Sequence, residues 1–210
     1  MKKNYLITLV VAVAALCLVS CKCTENKEQK ELGESTAELV VENAMSLDKQ
    51  TMYLKYNSSD YRWYETGVVL KNWLDEENDG EIEMVVNVFQ TVIESGSSFD
   101  TKVYKIQHTA EGVYEEAIDG FWIEDYPMND EAIKVTFKEA FDKVMAVNLP
   151  KPHTHQVVLR KQVGPVDANP QWIFGNLRSQ IYVDAITGEV SSENPAFKGL
   201  GFKMPLGEWP

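Results

Sequence analysis

Between Tyr61 and Asp125 apolar residues recur with a period of two, and no other feature of this chain constrains its fold as tightly. Four β-rich stretches fall in that window, at 62–74, 81–94, 101–109 and 113–124. The segments between them carry turn chemistry: DEENDG at 75–80, SGSSFD at 95–100 and AEG at 110–112. Connectors this short predict neighbouring antiparallel strands, a meander. In the second stretch Ile82, Met84, Val86, Val88 and Val92 share one face, which is expected to be mainly core.

Helical patterns flank the meander. Ser35-Thr36-Ala37-Glu38 can form a capping box, in which the serine oxygen meets the third amide and the glutamate reaches back. Leu39, Val40, Asn43 and Leu47 follow at helical spacing, and a second short element is expected over 48–56. After Pro127, Asp130 is placed to cap a helix running to about Val147, with Ile133, Phe137, Phe141, Val144 and Met145 as its apolar stripe. Pro150 and Pro152 stop it, and strands are expected near 156–163, 171–175 and 179–184. This order predicts an α+β fold of two helix-plus-antiparallel-sheet units, residues 36–128 and 129–194, with the helices on one face of the sheet. The tail 195–210 carries Phe197, Leu200, Phe202, Met204, Leu206 and Trp209. Such apolar content is expected to dock on the body, covering a sheet edge.

The start of the chain has the three parts of an export signal: Lys2 and Lys3, an apolar run from Tyr5 to Val19, and small Ser20. A helix over that run would reach roughly 22 Å, short of the ~30 Å hydrocarbon core, so a permanent transmembrane helix is disfavoured. Leu18-Val19-Ser20-Cys21 resembles a bacterial lipoprotein signal. Cys17 follows bulky Leu16 and Cys23 follows charged Lys22; Cys21 alone follows a small residue. The resemblance implies removal of residues 1–20 and lipidation of Cys21, by a thioether-linked diacylglycerol and usually an acyl group on its new amine. At about 0.8 kcal/mol per buried methylene, two or three chains anchor stably. Lys22 in second position leans, by resemblance to known sorting patterns, toward the outer membrane of a cell envelope that has two.

Cleavage would leave 18 basic against 32 acidic side chains, a charge of −14. Such a surface is repelled by nucleic-acid phosphates and anionic headgroups, which excludes nucleic acid as a partner and leaves membrane residence to the lipid. With Cys21 acylated only Cys23 remains, so no disulfide framework exists. KCTENKEQKELGES at 22–35 is nearly free of large apolar residues and reads, with Cys21, as a flexible tether spanning about 20 Å.

In the second half, EAIKVTFKEAFDKVMA, HQVVLRKQVG and QIYVDAITGEV resemble a PepSY domain over roughly residues 130–193. Asp184 and Gly188 shape the turn after the last extended segment, the aspartate offering acceptors for turn amides and the glycine a positive φ. GPVDANP at 164–170 departs from the family pattern as a longer connector. The resemblance implies a noncatalytic module that binds or restrains an envelope or secreted protein, notably a peptidase. Tandem versions resemble β-lactamase inhibitor proteins, whose helix-free sheet face meets the partner. Tyr61, Trp63, Tyr64, Trp73, Trp122 and Trp172 could supply such a surface, or could be packing.

Other chemistry is thin. Asp75, Glu77, Asp79 and Gly80 stand at offsets like the start of a calcium loop, but Val86 occupies the place of the closing glutamate. His153 and His155 would share one strand face, a start toward zinc without a recognisable third ligand; His108 is the only other histidine. No hydrolase, phosphate-loop or dinucleotide motif occurs. The expectation is therefore a lipid-anchored, noncatalytic binding or inhibitory module with no cofactor. The competing classes are a small-molecule or glycan binder using an aromatic sheet face, and a metal-dependent hydrolase using His153, His155 and scattered acids.

Overall fold

A computed structural model describes residues 29–33, 39–56, 60–95, 98–129, 132–176 and 179–199. The export segment, Cys21, the Ser35–Glu38 capping box and residues 200–210 of the tail lie outside the described residues.

The meander forms as β2 (Tyr61–Leu70), β3 (Ile82–Ser95), β4 (Ser98–His108) and β5 (Val113–Asp119). Strand β1 (Gln29–Gly33), within the segment read as tether, pairs with β5 at the edge. After the short β6 (Asp125–Tyr126) come β7 (Gln156–Gln162), β8 (Gln171–Asn176), β9 (Ser179–Asp184) and β10 (Val190–Ser191). The order across the sheet is β1-β5-β4-β3-β2-β7-β8-β9-β10, antiparallel throughout, with β6 attached to β7.

This overturns the expected α+β fold of two helix-plus-sheet units. The described residues form one sheet-dominated body, because β2 and β7 pair over Glu65–Val69 and Gln156–Arg160. Left apart, each would be an edge strand with a row of unsatisfied backbone groups. The described helices are two, α1 (Val41–Lys55) and α2 (Phe137–Ala146). The two elements expected at 35–47 and 48–56 are one helix, α1, which starts at Val41 with no side-chain cap. Asp130, the expected cap of the second helix, lies outside the described residues; α2 begins at Phe137, where Thr136 and Glu139 form a reciprocal capping box.

Both helices pack on the same sheet face. Val41, Ala44, Met45 and Met52 of α1 and Phe137, Ala140, Phe141 and Val144 of α2 share a core with Val85, Phe89, Leu159, Trp172 and Val183. Glu42 of α1 accepts the Phe137 amide at 2.7 Å, tying α1 to the first turn of α2. The expected core face of β3 is reversed over its centre. Val85, Asn87 and Phe89 face the helices, whereas Met84, Val86 and Val88 face away. The strand is apolar on both sides, so its period alone does not choose the side.

Asn87 and His108 enter the core because α1 brings a carboxylate to meet them. Asp48, 2% exposed, accepts from Asn87 at 2.6 Å and lies 2.8 Å from Nε2 of His108, itself 5% exposed. Thr66 donates to Asn87 at 2.5 Å, and the Trp63 indole to Thr66 at 3.2 Å. Burial holds the Asp48 carboxyl above its ordinary range despite the His108 and Asn87 hydrogen bonds. The expected turn at 184–188 is a hydrogen-bonded one: Asp184 Oδ1 accepts the Ile186 and Thr187 amides, and Gly188 has φ +74°. The start of the tail, Pro195–Phe197, forms a 3-10 turn with Ala196 buried and its carbonyl accepting from Val166.

Asp48→Ala strands two buried donors and is expected to cost about 3 kcal/mol in urea denaturation. Removing Asp142, paired with Lys138 only on the exposed face of α2, is expected to cost about 0.5 kcal/mol or less.

Candidate functional site

The sheet face turned away from the helices is crossed by a strap. At Gly120, with φ +140°, the chain leaves the end of β5. It passes over β4, β3 and β2 to reach β7, where Asp125 and Tyr126 pair with Gln162 and Lys161. Met128 then bridges to Trp63 of β2, its amide donating to the Trp63 carbonyl at 2.8 Å. Four side chains of the covered face meet the strap. Gln90 accepts the Trp122 amide at 2.6 Å, and the Lys105 ammonium lies 5.8 Å from the Trp122 ring. Arg160 Nε lies 3.7 Å from Asp125 Oδ1, and Glu65 stands opposite Arg160 in the β2–β7 register. Val88, Gln90 and Val103 are buried on this face, which carries no helix among the described residues, and Gln90 meets the strap directly.

Along the strap the side chains alternate in direction. The Trp122 indole turns in and donates to Asp125 at 3.2 Å. Phe121 and Ile123 turn out, 69% and 81% exposed, with half-exposed Tyr126 further along. Beside the strap, Tyr126, Pro127, Lys161, Gly164, Pro165 and Asp167 line an open hollow of about 510 Å³. On the helix side a smaller groove of about 260 Å³ lies between α1 and residues 133–136, with Met45 and Trp172 in its wall.

The electrostatics beneath the strap are unusual for a sheet surface. Burial, reinforced by the Asp125 charge, pushes the Glu65 carboxyl up to about 7, against the pull of Arg160. Burial also raises Asp125, which Arg160 and the Trp122 hydrogen bond oppose.

The other expected site residues are scattered. Trp63 and Trp172 are core and Tyr64 is buried; Tyr61 and Trp122 are half-buried, so no open aromatic face forms from this set. Trp73 alone of the six is exposed, stacked on His153 at 4.1 Å and on His155 at 4.7 Å between ring centroids. Asp75 joins them, its Oδ1 2.9 Å from His153 Nδ1. Two of the expected metal-loop and histidine candidates thus meet, yet among the described residues no group of three or more His, Cys, Asp or Glu is arranged to hold a metal. In the calcium-like loop Asn78 and Asp79 accept the amides of Gly80 and Glu81, the hydrogen bonding of a turn. The third histidine, His108, is sealed in the core against Asp48. Sequence reasoning missed Glu65, Asp125 and Arg160. The available signal was a charge placed directly after an apolar run in a strand, as Arg160 is in QVVLRKQV.

Compared with known proteins, the chain matches no family model, no curated protein and no solved structure.

The raised Glu65 carboxyl fixes a sign. The folded state holds this proton more tightly than the unfolded chain, whose ordinary value is 4.5. Stability therefore falls as pH rises from 4.5 to about 7, by up to about 3 kcal/mol. Glu65→Gln is expected to stabilise the protein by up to that amount at pH 8 and by almost nothing at pH 4, read by urea denaturation. Equal effects at the two pH values would contradict the assignment.

Proposed function

We propose that this chain is a lipid-anchored cell-envelope protein that binds an envelope or secreted protein through the outer side of the strap, without chemistry of its own. The observation that carries the reading is the pair Phe121 and Ile123, held out to solvent on a segment pinned at Trp122, Asp125 and Met128. While the strap lies on the sheet, large apolar side chains held on a pinned segment lose less entropy on docking than they would on a free loop. Exposed Glu124 within the strap favours a partner carrying a basic residue beside the apolar pair, whereas Asp119 at the strap's start is already paired with Lys102 at 3.6 Å. The PepSY resemblance, resting on its motif alone, supports the binding class and makes a peptidase the first partner to try.

The histidines offer little to a hydrolase. His108 and Asp48 are beyond the reach of a substrate, and His153 and His155 are both stacked on Trp73. The lipid anchor rests on Cys21 and its neighbours. An outer-membrane address rests on Lys22.

Two experiments test the reading. Wild-type protein is expected to partition into membranes and the detergent phase and to incorporate radiolabelled palmitate, whereas Cys21→Ala does neither; an unlabelled wild type would sink the anchor. Pulldown from envelope extract should recover a protein with the wild type and lose it, at least tenfold, with the Phe121→Asp, Ile123→Asp double variant at unchanged Tm. Equal recovery with both would remove the strap as the surface.

A further inference from the structure

One guanidinium beneath the strap stands between two carboxylates on different elements. Arg160 projects from β7, Glu65 is its cross-strand partner on β2, and Asp125 comes down from the strap. The Asp125 side chain is fully buried, yet its Oδ1 and the Arg160 Nε, 3.7 Å apart, are too distant for a hydrogen bond, and neither atom has another partner. This one of the strap's fastenings is thus incompletely made, and a second carboxylate, Glu65, faces the same cation. We propose that residues 121–128 form a proton-sensitive latch. With Glu65 neutral, Arg160 serves Asp125 and the strap lies on the sheet; when Glu65 ionises it draws Arg160 away, and Asp125, left facing another carboxylate, releases the strap.

The charges facing Glu65 favour this exchange. Asp125 and Glu124 approach from the strap, Arg160 from β7 and Lys105 from β4. An ionised Glu65 makes three carboxylates for two cations, and only the strap carboxylates can move away with the loss of no more backbone pairing than the two β6 pairs and the Met128 bridge. The strap is also the cheapest element to lift, because its backbone pairing is confined to β6 and the Met128 bridge. Lifting it frees Gln90, which accepts the Trp122 amide in the closed form, on a face where Val88 and Val103 are also buried. Since burial and Asp125 push the Glu65 carboxyl up to about 7, the exchange falls in the neutral range. The latch does not depend on the identity of any partner, and its test needs none.

Hydrogen exchange on the whole protein reads the latch directly. After division by intrinsic rates, exchange of the Trp122 and Met128 amides is expected to rise about tenfold between pH 6 and pH 8, from linkage between carboxyl values of 4.5 open and about 7 closed. The amides of Trp172 and Val183 in the β8–β9 ladder should not follow. The rise should vanish in Glu65→Gln and equally in Glu65→Met. No rise in the wild type would overturn the latch. So would a rise of the same size in either variant, or one shared by Trp172 and Val183.

Discussion

The rest of the structure depends on the ladder between β2 and β7. Five residue pairs, from Glu65–Arg160 to Val69–Gln156, join a meander on one side to a meander on the other. Backbone hydrogen bonds left unmade in a buried setting cost more than those made contribute, so once α1 and α2 cover one face these two strands have every reason to pair. The ladder also sets Glu65 beside Arg160, because cross-strand partners share a face. The same five pairs therefore create both the continuous sheet and the charged spot that the strap crosses.

The two faces of that sheet solve different problems. On the helix side Asp48, Asn87, His108, Thr66 and Trp63 form a chain of hydrogen bonds that fixes where α1 sits, a specificity that apolar packing alone does not supply. On the other side no helix is available among the described residues, and the crossing from Gly120 to Met128 does the covering. Its grip is polar and incomplete at Asp125 and Arg160, which makes this side the easier one to open.

Much of the fold was legible in sequence and the rest was hidden for physical reasons. The strands of the meander, the apolar stripe of α2 and the Asp184–Gly188 turn follow from local periodicity and turn chemistry. The joining of β2 to β7 does not, because they lie some 90 residues apart and no local pattern encodes their pairing. The segment 113–124 read as one strand, yet it bends at Gly120 and becomes the strap, which only the sheet beneath it can reveal. Because β3 is apolar on both sides, its period does not tell the face of Val86 and Val88 from that of Val85 and Phe89, and Asn87, whose partner is 39 residues away on α1, carries no local sign of burial. The candidate site was the least legible part, since Glu65, Arg160 and Asp125 come from three elements and each alone reads as a solvated charge.

A double-mutant cycle between Asp125 and Arg160 tests most directly whether the strap is clipped to the joined sheet through this pair. Asp125→Asn, Arg160→Met and the double variant would be compared by urea denaturation at pH 6, where the latch is closed. A coupling energy of about 1 kcal/mol or more is predicted, as for groups in one buried network. Additivity to within about 0.3 kcal/mol would contradict the account, because residues that add so closely do not share a contact.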